Sequence, residues 1–204
     1  MIKYSIITIG YKAEEYTQKC IESVAKHTKN HEHILVLNES DISQFNYQLT
    51  IINNIKNVGL SKAANQGIRI ARGQYIFITA NDIEVQRDWV KPYVREIDKG
   101  ASMVIGTDMS VHCYDKDWLI TCGLYDENIF FEYEDIEMQK RVWLSGKKMT
   151  EIEAKPFKHY LHKSGDLLGK VQRDEIRERS RNYVNYKYNG WEPSNDPAKY
   201  REEI

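Results

Sequence analysis

A chain of 204 residues favours one domain, or one domain with an appendage, and 41% hydrophobic with 29% charged residues supplies a sizeable core, which excludes disorder as the default state. With 29 basic against 30 acidic residues the net charge is −1, so there is no global field for a polyanion, and nucleic acid is not an expected partner. Cys20, Cys113 and Cys122 form no CxxC pair, which argues against a disulfide framework or a cysteine zinc site and fits reduced thiols in a cytoplasmic setting.

In chain order, the β-branched run at 2–9 reads as a buried strand, and Tyr16, Cys20, Ile21 and Val24 then recur at helical spacing. Further strands are expected at 33–37, 49–53, 74–80 and 102–106. Helices are expected over 62–73, stopped by Gly73, and over 88–100, where Trp89, Tyr93, Val94 and Ile97 share a face. This alternation predicts an α/β fold with a mostly parallel central sheet and helices on both faces. Beyond 107 the pattern becomes aromatic-rich and less regular. From 166 it is charged and helix-prone, and reads as a solvated C-terminal helical appendage. No run approaches the roughly 20 apolar residues of a membrane span, so any membrane association is expected to be peripheral.

In such sheets ligands sit beyond the carboxyl ends of the strands, and three polar groups fall there: Gly10-Tyr11, Asn38-Glu39-Ser40 and Asn81-Asp82-Ile83-Glu84. Asp82 follows a strand ending in IFIT, and an extended chain would point Glu84 the same way; two hard oxygen donors suit magnesium or manganese carrying phosphates. The same residues could equally form a turn and helix cap. Glu132, Glu134, Asp135 and Glu137 are crowded beside aromatics, where one carboxylate can be poised as a base or where all serve only the dipole of a helix first turn. His159 and His162 in KHYLHKSG could complete a metal site or lie on a surface loop. NVGLSKAANQG could shape a turn whose backbone N–H groups and Lys62 face a diphosphate, although it matches no phosphate-loop string.

The order of these pieces resembles the family 2 glycosyltransferases with the GT-A fold. The resemblance covers about residues 3–165 and rests on SIITIGYKAEEYTQKCIESV, NVGLSKAANQGIRIARGQYIFITANDIEV, GLYDENIFFEYEDIEMQKRVWLSGKKM and the late His162-Lys163-Ser164. It implies a transferase domain over 1–165, with a nucleotide-sugar half (1–107) and an acceptor half (108–165), followed by an extension over 166–204. It also implies Asp82 as the metal-binding carboxylate, His162 at the family's metal-histidine place, Asp135 as catalytic base with Glu134 beside it, Tyr11 bordering the nucleoside, and Lys62 near the donor. Asn38 and Asn81 fall in the donor-facing motifs. The expected cofactor is a divalent metal, manganese or magnesium. The expected partners are a nucleotide sugar, with a UDP-sugar the leading candidate, and a carbohydrate or other hydroxyl acceptor.

Two departures from the family pattern stand out. Leu37 occupies the place of a base-contacting Asp, and Ala80 that of the first carboxylate of a DXD motif. Valine at 142, where QxxRW requires arginine, argues against a processive synthase. The implied chemistry is inverting transfer, in which Asp135 takes the acceptor proton. The rivals are a nucleotidyltransferase, which would need a Gly-rich basic loop after the first strand that GYKAEEY does not provide, and a non-catalytic carbohydrate-binding module derived from a transferase.

Overall fold

The computed structural model describes residues 2–41, 45, 48–106, 109–153, 156–161 and 165–193. The chain alternates as read from the sequence: β1 (Tyr4–Tyr11), α1 (Glu14–His27), β2 (His31–Asn38), β3 (Thr50–Asn54), α2 (Leu60–Ile70), β4 (Tyr75–Ala80), a short β5 (Ile83–Val85), α3 (Lys91–Asp98) and β6 (Ala101–Gly106). It continues with β7 (Val111–Asp115), α4 (Lys116–Thr121), α5 (Glu134–Leu144), β8 (Lys148–Ile152), β9 (Phe157–His159) and α6 (Lys170–Lys187). One seven-stranded sheet runs β3-β2-β1-β4-β7-β6-β8, and a two-stranded ribbon pairs β5 with β9.

All neighbours in the large sheet are parallel except β7, which is antiparallel to both β4 and β6. Period-two alternation sends successive side chains to opposite faces. Ile6, Phe77 and Val104 therefore pack with Cys20 and Val24 of α1 and with Tyr93, Val94 and Ile97 of α3. Ile7, Ile76, Ile78, Met103 and Ile105 pack instead with Ala63, Ala64 and Ile68 of α2, Leu119 of α4 and Met138 and Val142 of α5.

Three sequence expectations shift. Helix α2 ends at Ile70 rather than at Gly73, because Ala71 turns extended (φ −65°, ψ 137°) and the Gly73 N–H donates to Ser5 Oγ at 2.8 Å. The irregular stretch after 107 contains β7, in the middle of the sheet. The C-terminal helix is docked, not merely solvated: Ile176, Ser180 and Val184 are buried. Its far end is held by Glu137, a fully buried carboxylate that accepts from Lys187 Nζ (2.7 Å), Tyr188 Oη (2.7 Å) and Arg141 Nη2 (2.8 Å). Among the described residues no helix is long and apolar enough to cross a membrane.

Candidate active site

The parallel strands β1, β2 and β4 all end at one edge of the sheet, and a cleft of about 490 Å³ opens there. Tyr11, Asn38, Asn81 and Asp82 line it from the strand ends, and Phe130 to Ile136 line it from the segment entering α5. Two acidic residues far apart in sequence, Asp82 and Asp135, thus face a common space.

Asp82 sits in a turn at 81–82, almost fully buried at 4% exposure. The ribbon that follows it fixes its surroundings. Tyr160 N donates to the Asp82 carbonyl at 2.9 Å, Ile83 pairs with His159, and His159 Nε2 lies 3.2 Å from Asp82 Oδ1. Since the chain turns here instead of staying extended, Glu84 does not follow Asp82 into the cleft: it is exposed on β5 and accepts from Tyr160 Oη at 2.7 Å. Asn81 is buried beside Asp82, its amide donating to Thr17 Oγ1 at 2.8 Å and so tying β4 to the start of α1.

Asn38 is likewise buried, donating to the Gly59 carbonyl (3.3 Å) and accepting from Asn54 Nδ2 (3.1 Å), so its amide braces the loop before α2. Leu37 points the other way, into an apolar cluster with Ile21, Leu35 and Phe45. Lys62 is absent from the cleft wall: α2 buries Ser61, Ala63 and Ala64 and leaves Lys62 exposed. His162 lies outside the described residues; among those described, the imidazole at Asp82 is that of His159.

The NVGLSKAANQG segment is tied to the stretch that leads into α5. Asn57 Oδ1 accepts from Gly59 N at 2.9 Å, and Leu60 N donates to the Phe130 carbonyl at 2.6 Å. Gly59 has φ +86°, and a Cβ there would lie 2.5 Å from that same carbonyl oxygen, so only glycine fits. Asn65 exchanges hydrogen bonds with the Tyr125 backbone, both at 2.9 Å. These contacts carry the 125–133 segment across α2 and aim the start of α5 at the cleft.

That start is strained. Glu132 and Tyr133 have φ of 63° and 71°, the left-handed region that non-glycine residues seldom enter, at a cost of about 1–3 kcal/mol each. Glu134 and Asp135 follow in the first turn of the helix and line the cleft, whereas Glu137 turns away into the α6 contact. Glu134 is 8% exposed and its Oε2 is buried without a hydrogen-bond partner among the described residues. Burial, then the neighbouring Asp135 charge, pushes its carboxyl well above the ordinary range. Burial also raises Asp135, to about 6, against the pull of the Ile136 N–H, which donates to its Oδ1 at 2.7 Å.

The last wall comes from α6, which the sequence reading did not bring to the cleft. Arg173 Nε donates to Glu132 Oε1 at 2.8 Å, Arg177 Nη2 donates to Glu132 Oε2 at 3.0 Å, and both arginines line the cleft. Their spacing of four residues on a helical segment was the one available signal. Phe130 and Phe131 also line the cleft, while Tyr114 and Tyr125 are buried, their hydroxyls 2.6 Å apart.

Among the described residues no group of three or more His, Cys, Asp or Glu side chains forms a metal cage. Asp82 and His159 nevertheless offer one oxygen and one nitrogen donor at the cleft wall. Such a pair fits a magnesium- or manganese-type cation that draws its remaining ligands from substrate phosphates and water.

Known proteins share this architecture. The chain is similar to Pyrobaculum calidifontis mannosyltransferase PcManGT, solved in complex with GDP-Man and Mn2+, with TM-score 0.72 and 13% identity over 94% of this chain and 66% of that one. It is similar to residues 1–349 of S. aureus TarS, with TM-score 0.63 and 14% identity over 92% of this chain and 72% of that one. In sequence it is 25% identical over 115 residues to glycosyltransferase GlyA of Streptococcus pneumoniae serotype 4 (strain ATCC BAA-334 / TIGR4), a match spanning 51% of this chain and 16% of GlyA's length. The model of glycosyl transferase family 2 matches residues 5–140, from the first strand through the first turns of α5. With more than half its length inside that match, and with the fold to accompany it, this chain belongs to glycosyl transferase family 2.

Proposed function

We propose that the protein is an inverting glycosyltransferase that moves a sugar from a nucleotide-sugar donor to an acceptor hydroxyl, with Asp135 as the base. The observation that carries this reading is the pair Asp82 and Asp135 on the walls of one cleft, with the α5 carboxyls raised by burial. Support for the donor class comes from the fold relatives, of which one is solved with GDP-Man and Mn2+ and another with UDP.

The donor's nucleoside rests against the strand ends, with Tyr11 as its wall and the Asn38 and Asn81 amides holding the surrounding loops in place. Asp82 and His159 are the residues that would hold a divalent cation, which when bound offsets the charge of the departing diphosphate as a Lewis acid. On the other wall, Asp135 accepts the acceptor's hydroxyl proton as the oxygen attacks the anomeric carbon opposite the diphosphate, a single displacement that inverts the centre. A carboxyl titrating near 6 is ionised at neutral pH and a stronger base than an exposed aspartate. Glu134, its carboxyl raised by burial and by that neighbouring charge, lies beside Asp135 and orients the acceptor oxygen.

The test is release of nucleotide and transfer product from a panel of UDP- and GDP-sugars with manganese. Turnover by the parent protein and its loss in Asp135→Asn, with donor binding retained, is the expected result. A base positioned in this way is worth about 10²–10⁴-fold in rate. Full turnover in Asp135→Asn removes the base assignment, and a parent protein that neither binds nor cleaves any donor favours a binding module instead.

A further inference from the structure

The ribbon that carries Glu84 has three residues on each strand, and a pair so short is marginal by itself. Ile83, Val85 and Phe157 anchor its inner face in the core beside Trp89, and Val85 N donates to Ser23 Oγ at 3.0 Å. Gln86 N donates to the Pro156 carbonyl at 2.8 Å and closes the end away from the cleft. At the other end Asp82 and His159 meet, and there Tyr160 is held at three points. Its N–H donates to the Asp82 carbonyl (2.9 Å), its hydroxyl donates to Glu84 Oε2 (2.7 Å), and its ring centre lies 5.1 Å from that of Tyr16 on α1. Glu84 and Lys158 pair across the exposed face of the ribbon, and the Lys158 ammonium lies 4.4 Å from the Tyr160 ring centre. Leu161, next along the chain, is left-handed at φ 55°, so the extended path of β9 breaks just after Tyr160. One residue thus grips the Asp82 backbone on one side and the Glu84 carboxylate on the other, a single step from the imidazole that faces Asp82.

We infer that Glu84 and Tyr160 are positioning residues: their hydrogen bond latches the two strands together at the cleft and so keeps His159 Nε2 against Asp82. The inference rests on the reading of Asp82 and His159 as the pair that holds a cation, and it gives Glu84 a part in that site without making it a ligand. The latch is exposed, and breaking it leaves the core contacts of Ile83, Val85 and Phe157 in place, so its loss loosens the pair without unfolding the chain. Groups that orient ligating side chains contribute to the affinity for the ion even though they never touch it.

The experiment titrates manganese into the parent protein, alone and with UDP or GDP, and follows the free ion by electron paramagnetic resonance. Tyr160→Phe, Glu84→Ala, the double variant and Glu84→Gln are treated alike, with folding checked by circular dichroism. Tyr160→Phe and Glu84→Ala are each expected to weaken manganese binding by about three- to tenfold, and the double variant by no more than either alone, since both remove the same bond. Glu84→Gln keeps an acceptor oxygen for the tyrosine hydroxyl and is expected to stay within about twofold of the parent. Parent-like affinity in Tyr160→Phe, or losses that add in the double variant, overturns the latch. So does a loss in Glu84→Gln as large as in Glu84→Ala, which instead makes Glu84 a ligand. A second arm, without metal, records the His159 Nε2 resonance by long-range nitrogen NMR, assigned with His159→Gln. It is expected to move in Tyr160→Phe and Glu84→Ala and to return in Glu84→Gln, and an unmoved resonance overturns the latch. A parent protein that binds no manganese in any of these titrations ends the cation reading, and the metal-free arm then decides the latch by itself.

Discussion

Glu134 and Asp135 are adjacent, yet their surroundings separate them. The first is buried with an oxygen that meets no partner among the described residues, and the second is half-buried with a backbone N–H on its carboxylate. Because the folded chain holds the Asp135 proton more tightly than an exposed aspartate near 3.8, transfer should fall away below about pH 6. The stability contributed by this group should decline as pH rises between about 4 and about 6 and be flat above that. Both trends are read by a pH series of initial rates and of denaturant midpoints, and both should vanish in Asp135→Asn. On the opposite wall, Asp82→Ala and His159→Ala should each weaken manganese-dependent donor binding by at least about tenfold, measured by titrating manganese at fixed donor. Asp82 and Asp135 were legible because a carboxylate at the end of an apolar strand and another at a helix start mark themselves in one dimension. That His159 meets Asp82 depends on how β9 registers against β5, and register is a property of pairing that spacing alone does not convey.

At the scale of elements, the joint at Gly59 and the docking of α6 decide whether the carboxylates arrive at all. Gly59→Ala would put a methyl group against the Phe130 carbonyl on a backbone that already needs positive φ. A loss of about 1–3 kcal/mol in unfolding free energy is expected from the backbone alone, read by urea denaturation, together with a fall in turnover as the α5 entry shifts. Helix α6 illustrates what hydrophobic periodicity misses. Its inward stripe is Arg173, Ile176, Arg177, Ser180, Val184 and Lys187, correctly spaced for one face but half charged, so the segment reads as solvated. Its partners are Glu132, Glu137 and Asp126, acids read from the sequence as belonging to other business or to none. Strand β7 was hidden for a related reason: SVHCYD carries polar His112 and Ser110 in a buried position, where His112 lies 3.4 Å from the Tyr114 and Tyr125 hydroxyls. The main strands and helices of the first hundred residues, by contrast, bury mostly apolar faces, and their periodicity was read to within a few residues of their ends.

For the molecule as a whole, resistance to acid should be set by the seam between α6 and the rest. Burial pushes the Asp126 carboxyl up, but hydrogen bonds from Lys187, the Asn128 backbone and Tyr183 together outweigh it and hold the group at about 2. Stability from this group is therefore complete above the ordinary aspartate value of 3.8 and is lost as pH falls from about 4 towards 2. Hydrogen exchange across that range should show α6 amides losing protection before those of β1 and β4, and Asp126→Asn should abolish the difference; simultaneous exchange of helix and sheet would contradict it. The reversed strand β7 has a wider effect. It begins beside Thr79 at the cleft and finishes beside Tyr75 at the far edge, so the polypeptide is carried away from the substrate and must climb back along α2 before α5 can begin. One change of direction in the middle of the sheet thus creates an ascending leg, residues 122–133, and it is this detour, not the sheet itself, that delivers Asp135 to the rim where the parallel strands terminate.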